Sequence, residues 1–120
     1  MRILIADNAE EIVKLLQELL STQGHTVDIA FDGKTALELL GIHHYDMGFF
    51  DHDMPEITGL ELTKHIRQNK LETVVVIISG YPAMEDFFVK TLGADEFMPK
   101  PFRLEDIVNL THKYGKNGQK

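Results

Sequence analysis

The sequence predicts an α/β fold: a doubly wound sandwich in which a five-stranded parallel sheet lies between two layers of helices. Two observations lead to it. Short apolar runs alternate five times with longer segments whose apolar residues recur at helical spacing, within 120 residues that suffice for one domain. One run, residues 74–78, consists of five consecutive β-branched residues, as expected of a strand buried on both faces of a parallel sheet. Right-handed crossovers then leave few topologies.

The first two strand–helix units occupy residues 3–41. Residues 3–6 form an apolar run that ends at Asp7, and a weaker, partly alternating strand follows over residues 25–31. Gly24 ends the helix predicted between these strands, and the Asp32-Gly33 turn precedes a short helix over 34–41. The apolar positions that predict the two helices are Ile12, Leu15, Leu16, Leu19 and Leu20 in the first, and Ala36, Leu37 and Leu40 in the second.

The third strand, residues 47–50, ends at Asp51 and contains Gly48, which marks close packing. Residues 53–55 break the pattern, and Thr58 is a suitable cap for a helix over about 59–69. The apolar face of this helix consists of Leu60, Leu62, Thr63 and Ile66, and the next strand covers residues 73–78.

The last part of the chain begins with a loop at residues 79–82, followed by a helix over 84–92 that Gly93 closes. Phe87 and Phe88 cannot both face the core from one helix, so one of them is expected at the surface. A short strand over 96–98, a turn over 99–102 and a helix over 103–113 follow. We therefore predict one domain over residues 1–114 and a polar tail, or the start of a linker, over 115–120.

Composition limits the function classes. The chain has no cysteine, which excludes disulfides, zinc–thiolate sites and thiol nucleophiles. The net charge of −7 disfavours direct contact with nucleic-acid phosphates. No apolar segment approaches the roughly 18 residues of a membrane span or the core of a signal peptide, so we expect a cytoplasmic protein without membrane contact.

Polar side chains with matching chemistry follow the predicted strands. In open parallel sheets, ligands bind beyond the carboxyl ends of the strands, and Asp7, Asn8, Asp51, Ser79 and Lys100 lie at or just after those ends. Carboxylate and amide oxygens suit a hard cation such as Mg²⁺, and a carboxylate can attack phosphorus to form an acyl-phosphate. A metal ion and a lysine would neutralise the transferring phosphoryl group.

Several motifs resemble the receiver domain of two-component response regulators, the family of the bacterial chemotaxis regulator. Residues 49–55 (FFDHDMP), with Gly59 four residues later, resemble its phosphoacceptor motif, and residues 98–102 (MPKPF) resemble its Lys-Pro-Phe motif. Residues 3–8 and 74–80 resemble its first and fourth strands, and 93–95 (GAD) precede the fifth as in the family. The resemblance covers residues 2 to about 113 and implies a flavodoxin-like (βα)5 fold with strand order 2-1-3-4-5.

The resemblance also implies a chemistry. Asp51 would accept a phosphoryl group from a phosphohistidine on a sensor histidine kinase or phosphotransfer protein. Mg²⁺, or Mn²⁺, would be held by Asp7, Asn8, the Asp51 carboxylate and the backbone carbonyl of Asp53, while Lys100 pairs with the phosphoryl oxygens. The domain would catalyse only its own phosphorylation and dephosphorylation, as a phosphorelay signalling protein without substrate turnover.

The resemblance also implies a conformational switch that transmits the phosphorylation signal. In the family, Ser79 moves to hydrogen-bond the phosphoryl group and Phe97 rotates inward, which changes the face of helix 4, strand 5 and helix 5. A downstream protein or output domain would bind that face, with the chain a monomer or a weak dimer. Asp53 and Tyr81 occupy positions that tune hydrolysis of the acyl-phosphate, while His52 occupies a position that is usually variable and exposed.

One departure keeps an alternative open. The family usually has two acidic residues after the first strand, whereas the second is Asn8 here, which predicts weaker Mg²⁺ binding. A degenerate receiver that acts as a phosphorylation-independent interaction module is therefore an alternative. Residues 51–53 (DHD) also fit the DxD motif of haloacid-dehalogenase-like phosphatases. That motif normally lies on the first strand, and those enzymes need more chain than follows here.

Overall fold

The computed structural model describes residues 1–118 and contains one fully parallel five-stranded sheet. Its strand order is β2-β1-β3-β4-β5, as the sequence predicted. This order places β1 and β3 at the centre, where the direction of strand progression reverses. The strands are β1 (Arg2–Ala6), β2 (Thr26–Ala30), β3 (Met47–Asp51), β4 (Val74–Ser79) and β5 (Glu96–Pro99).

Five helical segments connect and follow the strands. Four are α-helices: α1 (Glu10–Thr22), α2 (Gly33–Ile42), α3 (Gly59–Gln68) and α5 (Leu104–Gly118). The remaining segment, α4, lies between β4 and β5. It consists of a 3₁₀ turn (Pro82–Met84), two further residues and a π-helix (Phe87–Thr91). The prediction of an ordinary helix over 84–92 was therefore right in place and wrong in geometry.

The sheet separates two apolar layers, because alternate residues of each strand face opposite sides. On β1, Leu4 and Ala6 face the layer under α2, α3 and α4, whereas Ile3 and Ile5 face α1 and α5. All four side chains are fully or almost fully buried. Burial on both faces explains why the strands read as continuous apolar runs.

Helix α1 buries only some of the apolar positions whose spacing predicts it. Val13, Leu16 and Leu20 are buried, but Ile12 and Leu15 are 41% and 46% exposed. A helix that packs on one side of a sheet buries only one stripe of its surface. The apolar spacing identified the helix correctly, although the positions that carry it include Ile12 and Leu15, which lie at the surface.

Close packing explains Gly48 on β3. A Cβ atom built on this residue would lie 2.4 Å from the ring of Phe50, which occupies the space above the strand. The prediction that Gly48 marks a close approach is therefore confirmed. Its missing side chain leaves room for an aromatic ring in the layer that α3 and α4 cover.

Helix α5 runs to Gly118, beyond its predicted end near Lys113. Lys113 Nζ lies 2.7 Å from Glu96 Oε2, and the Tyr114 hydroxyl donates a hydrogen bond to the same carboxylate. Because Glu96 belongs to β5, these polar contacts join this part of the helix to the sheet. The segment predicted as a polar tail thus begins inside this helix, and its last residues, 119 and 120, lie outside the described part of the chain.

Candidate functional site

The carboxyl edge of the sheet brings the predicted site residues together. Asp7 follows β1, Asp51 ends β3, Ser79 ends β4 and Lys100 follows β5. These strands are consecutive in the order β1-β3-β4-β5, so their carboxyl ends form one edge. Asp7, Asp51 and Ser79 are all buried, although each is polar.

Asp51 is the centre of this edge. Its side chain is 1% exposed, and Lys100 Nζ lies 2.9 Å from its Oδ1. The backbone N–H of Asp53 also donates to Oδ1, at 3.0 Å. Its Oδ2 is buried and has no hydrogen-bond partner among the described residues. A buried carboxylate oxygen without a partner is costly, so this atom is available to a ligand that brings positive charge.

Burial raises the pKa of Asp7 to about 6, and the neighbouring charge of Asp51 acts in the same direction. The hydrogen bond that Asp7 Oδ1 accepts from the Ala9 N–H, at 2.9 Å, opposes this rise only in part. Burial alone would lower the pKa of Lys100, but the carboxylates of Asp51, Asp7 and Asp53 raise it overall. The edge therefore carries more negative charge than its single lysine neutralises.

Ser79 and Asp53 both lie between Asp51 and Lys100 in the sequence, and both reach the same edge. The Ser79 hydroxyl accepts a hydrogen bond from the Tyr81 N–H at 3.1 Å, and its carbonyl accepts one from the Lys100 N–H at 2.9 Å. Asp53 Oδ2 lies 3.6 Å from Lys100 Nζ. Tyr81 is 62% exposed at the rim.

The matched family model is that of the response regulator receiver domain, and it covers residues 3–112. This chain belongs to the response regulator receiver domain family. It is similar to the transcriptional regulatory protein TctD of Salmonella typhimurium, at 36% identity over 89% of this chain and 48% of the relative. It is also similar to CpxR of Escherichia coli K12, at 34% identity over 89% of this chain and 46% of the relative. The receiver domain thus spans about half the length of these regulators.

Solved structures agree with this membership. The receiver domain of the Francisella response regulator 1452 has a TM-score of 0.90 and 28% identity, with 98% of each chain covered. The response regulator TrrA of Thermotoga maritima, solved in complex with Mg²⁺-BeF, has a TM-score of 0.81 and 30% identity, with 94% of this chain and 97% of that chain covered. The predicted fold and family are therefore confirmed.

Gly59 allows α3 of the receiver domain to begin directly against the phosphoacceptor motif. A Cβ atom at this position would lie 3.2 Å from the carbonyl oxygen of Asp51 and from the Cα of His52, which is closer than ordinary packing. Thr58 precedes it as the cap residue, and its N–H donates to Glu61 at 3.4 Å. The later glycine of the motif therefore fixes the distance between α3 and Asp51.

His52 differs from the exposed side chain that the sequence predicted. The residue is half-buried, its Nδ1 is buried without a hydrogen-bond partner among residues 1–118, and its ring meets the ring of Phe88 with centroids 4.9 Å apart. Phe88 is fully buried, whereas its neighbour Phe87 is 38% exposed, so one phenylalanine of the pair remains at the surface as expected. No local pattern indicated the His52–Phe88 contact, because it depends on the rotation of α4.

An apolar groove of about 610 Å³ opens beside the acidic edge. The exposed Ile12 and Leu15 of α1 form one wall, and Phe102 and Leu104 form the other. Asn8 is exposed and lies at the end of the groove, next to Asp7 and Lys100. The sequence analysis did not predict this surface, because it used Ile12 and Leu15 only to identify the helix.

No helix among residues 1–118 is both long and apolar enough to cross a membrane. The phosphatase alternative also has little support in the fold, because its nucleophile would end the first strand, whereas Asp51 ends β3.

Proposed function

We propose that this receiver domain accepts a phosphoryl group on Asp51 from a phosphohistidine of a sensor histidine kinase or phosphotransfer protein. The observation that carries the proposal is the state of the Asp51 carboxylate. Lys100 and the Asp53 N–H bind Oδ1, while Oδ2 is buried and lacks a partner among the residues that the structure describes. A positioned carboxylate with a free oxygen is suited to attack phosphorus.

In the proposed reaction, the phosphoryl group moves from a histidine nitrogen to a carboxylate oxygen. An oxygen of Asp51 forms a bond to phosphorus as the P–N bond of the phosphohistidine breaks, and the electron pair of that bond stays on the histidine nitrogen. The Lys100 ammonium, 2.9 Å from Asp51, lies where it can bind the phosphoryl oxygens and neutralise charge in the transition state.

The donor set fits Mg²⁺, or Mn²⁺. Asp7 and Asp51 supply carboxylate oxygens, and Asn8 and the backbone carbonyl of Asp53 supply neutral ones, which are the ligands that hard cations prefer. No group of three or more His, Asp or Glu side chains within residues 1–118 is close enough to hold a metal, so two carboxylates and neutral oxygens must suffice. When bound, the cation would neutralise part of the charge that raises the pKa of Asp7.

The remaining site residues have roles in lifetime and signalling under this proposal. Asp53 and the exposed Tyr81 flank the entrance and influence how water reaches the acyl-phosphate. Ser79 would exchange its bond to the Tyr81 N–H for one to the phosphoryl group, and Phe97 on β5 would respond. A change at α4, β5 and α5 would then alter the binding of a downstream protein or output domain.

The apolar groove supports a protein donor. Ile12, Leu15, Phe102 and Leu104 line it immediately beside Asp7 and Lys100. A donor that brings a phosphohistidine to Asp51 must cover this end of the sheet, and exposed apolar walls next to a charged centre are typical of a protein contact. The relatives are about twice as long as this chain, so output through a further domain is proposed and not observed.

The test is covalent labelling with acetyl phosphate, with and without Mg²⁺, followed by intact mass spectrometry. The wild type should gain one phosphoryl group only with Mg²⁺, and Asp51→Asn should gain none. Asp86→Asn is the matched control, because Asp86 follows β4 in the sequence and its carboxylate side chain is 81% exposed. A folded wild type that stays unlabelled at high Mg²⁺ would favour the phosphorylation-independent interaction module, with Asn8 as the cause.

A further inference from the structure

His52 is held by ring packing. Its Nδ1 is buried and has no hydrogen-bond partner within the described part of the chain, which is unfavourable for an imidazole. Its ring meets the ring of Phe88 edge to face, with planes at 69°. Edge-to-face contacts of aromatic rings are favourable beyond the area that they bury. His52, the residue after Asp51, therefore contacts α4 through its side chain.

Phe88 of α4 also contacts β5, through Phe97. Its ring stacks on that of Phe97, with centroids 6.1 Å apart and planes at 23°. Phe88 is completely buried, and Phe97 belongs to β5. We call His52, Phe88 and Phe97 the aromatic stack. It connects the phosphoacceptor loop, α4 and β5 through side chains alone.

Phe88 lies in the π-helical part of α4. A 3₁₀ turn has 3.0 residues per turn, so the three residues Pro82–Met84 overwind the helix by about 60° relative to an α-helix. The π-helix Phe87–Thr91 is wider and turns back, and the Leu92 N–H accordingly donates to the Phe87 carbonyl at 3.1 Å. The two deviations oppose each other, and the middle of α4 is therefore rotated relative to a regular α-helix.

We propose that His52 is a positioning residue that keeps Phe88 in the aromatic stack and thereby keeps α4 in its 3₁₀/π form. Without the His52 ring, α4 relaxes to a continuous α-helix, which rotates Phe88 without displacing the ends of the segment. Short π-helical segments are frequent at functional sites, where a small shift of register changes the surface that a helix presents.

The same contact links α4 to Asp51, and this step rests on the proposed function. The Asp53 N–H donates to Asp51 Oδ1 at 3.0 Å, and the His52 N–H donates to the Ile78 carbonyl at 2.9 Å. A phosphoryl group on Asp51 changes the acceptor of the first bond, so the peptide that carries His52 must adjust. The ring of His52 then moves relative to Phe88.

The first experiment needs no phosphorylation. NMR ¹³Cα shifts and amide exchange over residues 82–92 are compared among the metal-free wild type, His52→Ala, His52→Phe and the control His44→Ala, whose side chain is 63% exposed. In His52→Ala we expect the shifts of residues 87–91 to move to α-helical values and Leu92 amide exchange to change at least fivefold. His52→Phe and His44→Ala should match the wild type.

Unchanged shifts in His52→Ala, or a His52→Phe variant that behaves like His52→Ala, would overturn the proposal. If His52→Ala does not fold, His52→Leu replaces it, because leucine fills the space without an aromatic ring. His52→Leu should then show the α-helical shifts, and wild-type shifts in this variant would overturn the proposal.

The second experiment adds Mg²⁺ and beryllium fluoride, a phosphoryl mimic. In the wild type, amide shifts are expected at Asp53 and Lys100 and also at residues 87–91. In His52→Ala the first group should persist while the second falls below a third of its wild-type size, and His52→Phe should restore it. Full response of residues 87–91 in His52→Ala refutes the coupling. Absence of any shift in the wild type refutes the proposed function instead, and leaves the first experiment as the test of His52.

Discussion

Lys100 Nζ lies 2.9 Å from Asp51 Oδ1, although Asp51 ends β3 and Lys100 follows β5, two strands away. The contact spans the carboxyl end of β4 and places the ammonium over the buried carboxylate. A buried charge that loses its partner is strongly destabilising, whereas removal of both partners is much less so.

The first prediction concerns this pair. Lys100→Met should lower the free energy of unfolding by about 1–3 kcal/mol, since it leaves the Asp51 carboxylate without its cation. In the Asp51→Asn background the same substitution should cost less than about 1 kcal/mol. Urea unfolding of the four proteins at pH 7.5 without Mg²⁺ measures the coupling. Equal effects of Lys100→Met in both backgrounds would show that the ion pair contributes no stability.

The second prediction concerns the pH dependence of stability. The pKa of Asp7 is raised to about 6 in the folded domain, chiefly by burial and next by the charge of Asp51. The native state then binds more protons than the unfolded state between about pH 4 and pH 6, so this group makes the metal-free domain less stable as pH rises through that range. Its favourable contribution is fully present below the pKa of the unfolded chain and lost above about pH 6.

Asp7→Asn should remove this dependence. Relative to the wild type in EDTA, the variant should gain about 1–2 kcal/mol of stability between pH 4.5 and pH 7.5, since solvent at the rim screens part of the effect. Urea unfolding of both proteins at the two pH values measures the difference, in which titrating groups distant from Asp7 cancel. A difference that stays constant with pH would mean that Asp7 is ionised in the folded domain throughout this range.

Sequence reasoning succeeded where one physical rule decided the outcome. Apolar runs predicted the central strands because a sheet covered on both faces buries them, and the carboxyl-end rule brought Asp7, Asp51, Ser79 and Lys100 to one edge. It failed where packing between elements decided. The rotation of α4, which creates the His52–Phe88 contact, depends on rings from three separate segments and leaves no periodic pattern in the chain.

The third prediction separates core from groove on α1. Leu16 is 2% exposed and Leu15 is 46% exposed, although the sequence pattern grouped them. Leu16→Ala should cost about 2–5 kcal/mol of stability, because it leaves a cavity under the sheet, while Leu15→Ala should cost less than about 1 kcal/mol. Thermal and urea unfolding of the two adjacent variants provide a matched comparison. Comparable losses would place Leu15 in the core and remove one wall of the proposed donor groove.

The fourth prediction concerns Asn8, the departure from the usual acidic pair. Asn8 is exposed at the end of the groove beside Asp7, and an amide oxygen brings no charge to a cation. Asn8→Asp should therefore tighten Mg²⁺ binding on the order of tenfold, or about 1.4 kcal/mol, because it adds a carboxylate next to the proposed ligands. Titration of amide shifts with Mg²⁺ at constant ionic strength gives the affinity.

Asn109→Asp is the matched control for Asn8→Asp. Asn109 is an exposed asparagine on α5, so its substitution changes the net charge equally without adding a ligand at the acidic edge. If both variants raise the affinity alike, only the general field of the domain has changed and Asn8 is outside the metal site. A gain confined to Asn8→Asp, accompanied by faster labelling with acetyl phosphate, would show that this one amide limits the chemistry at Asp51.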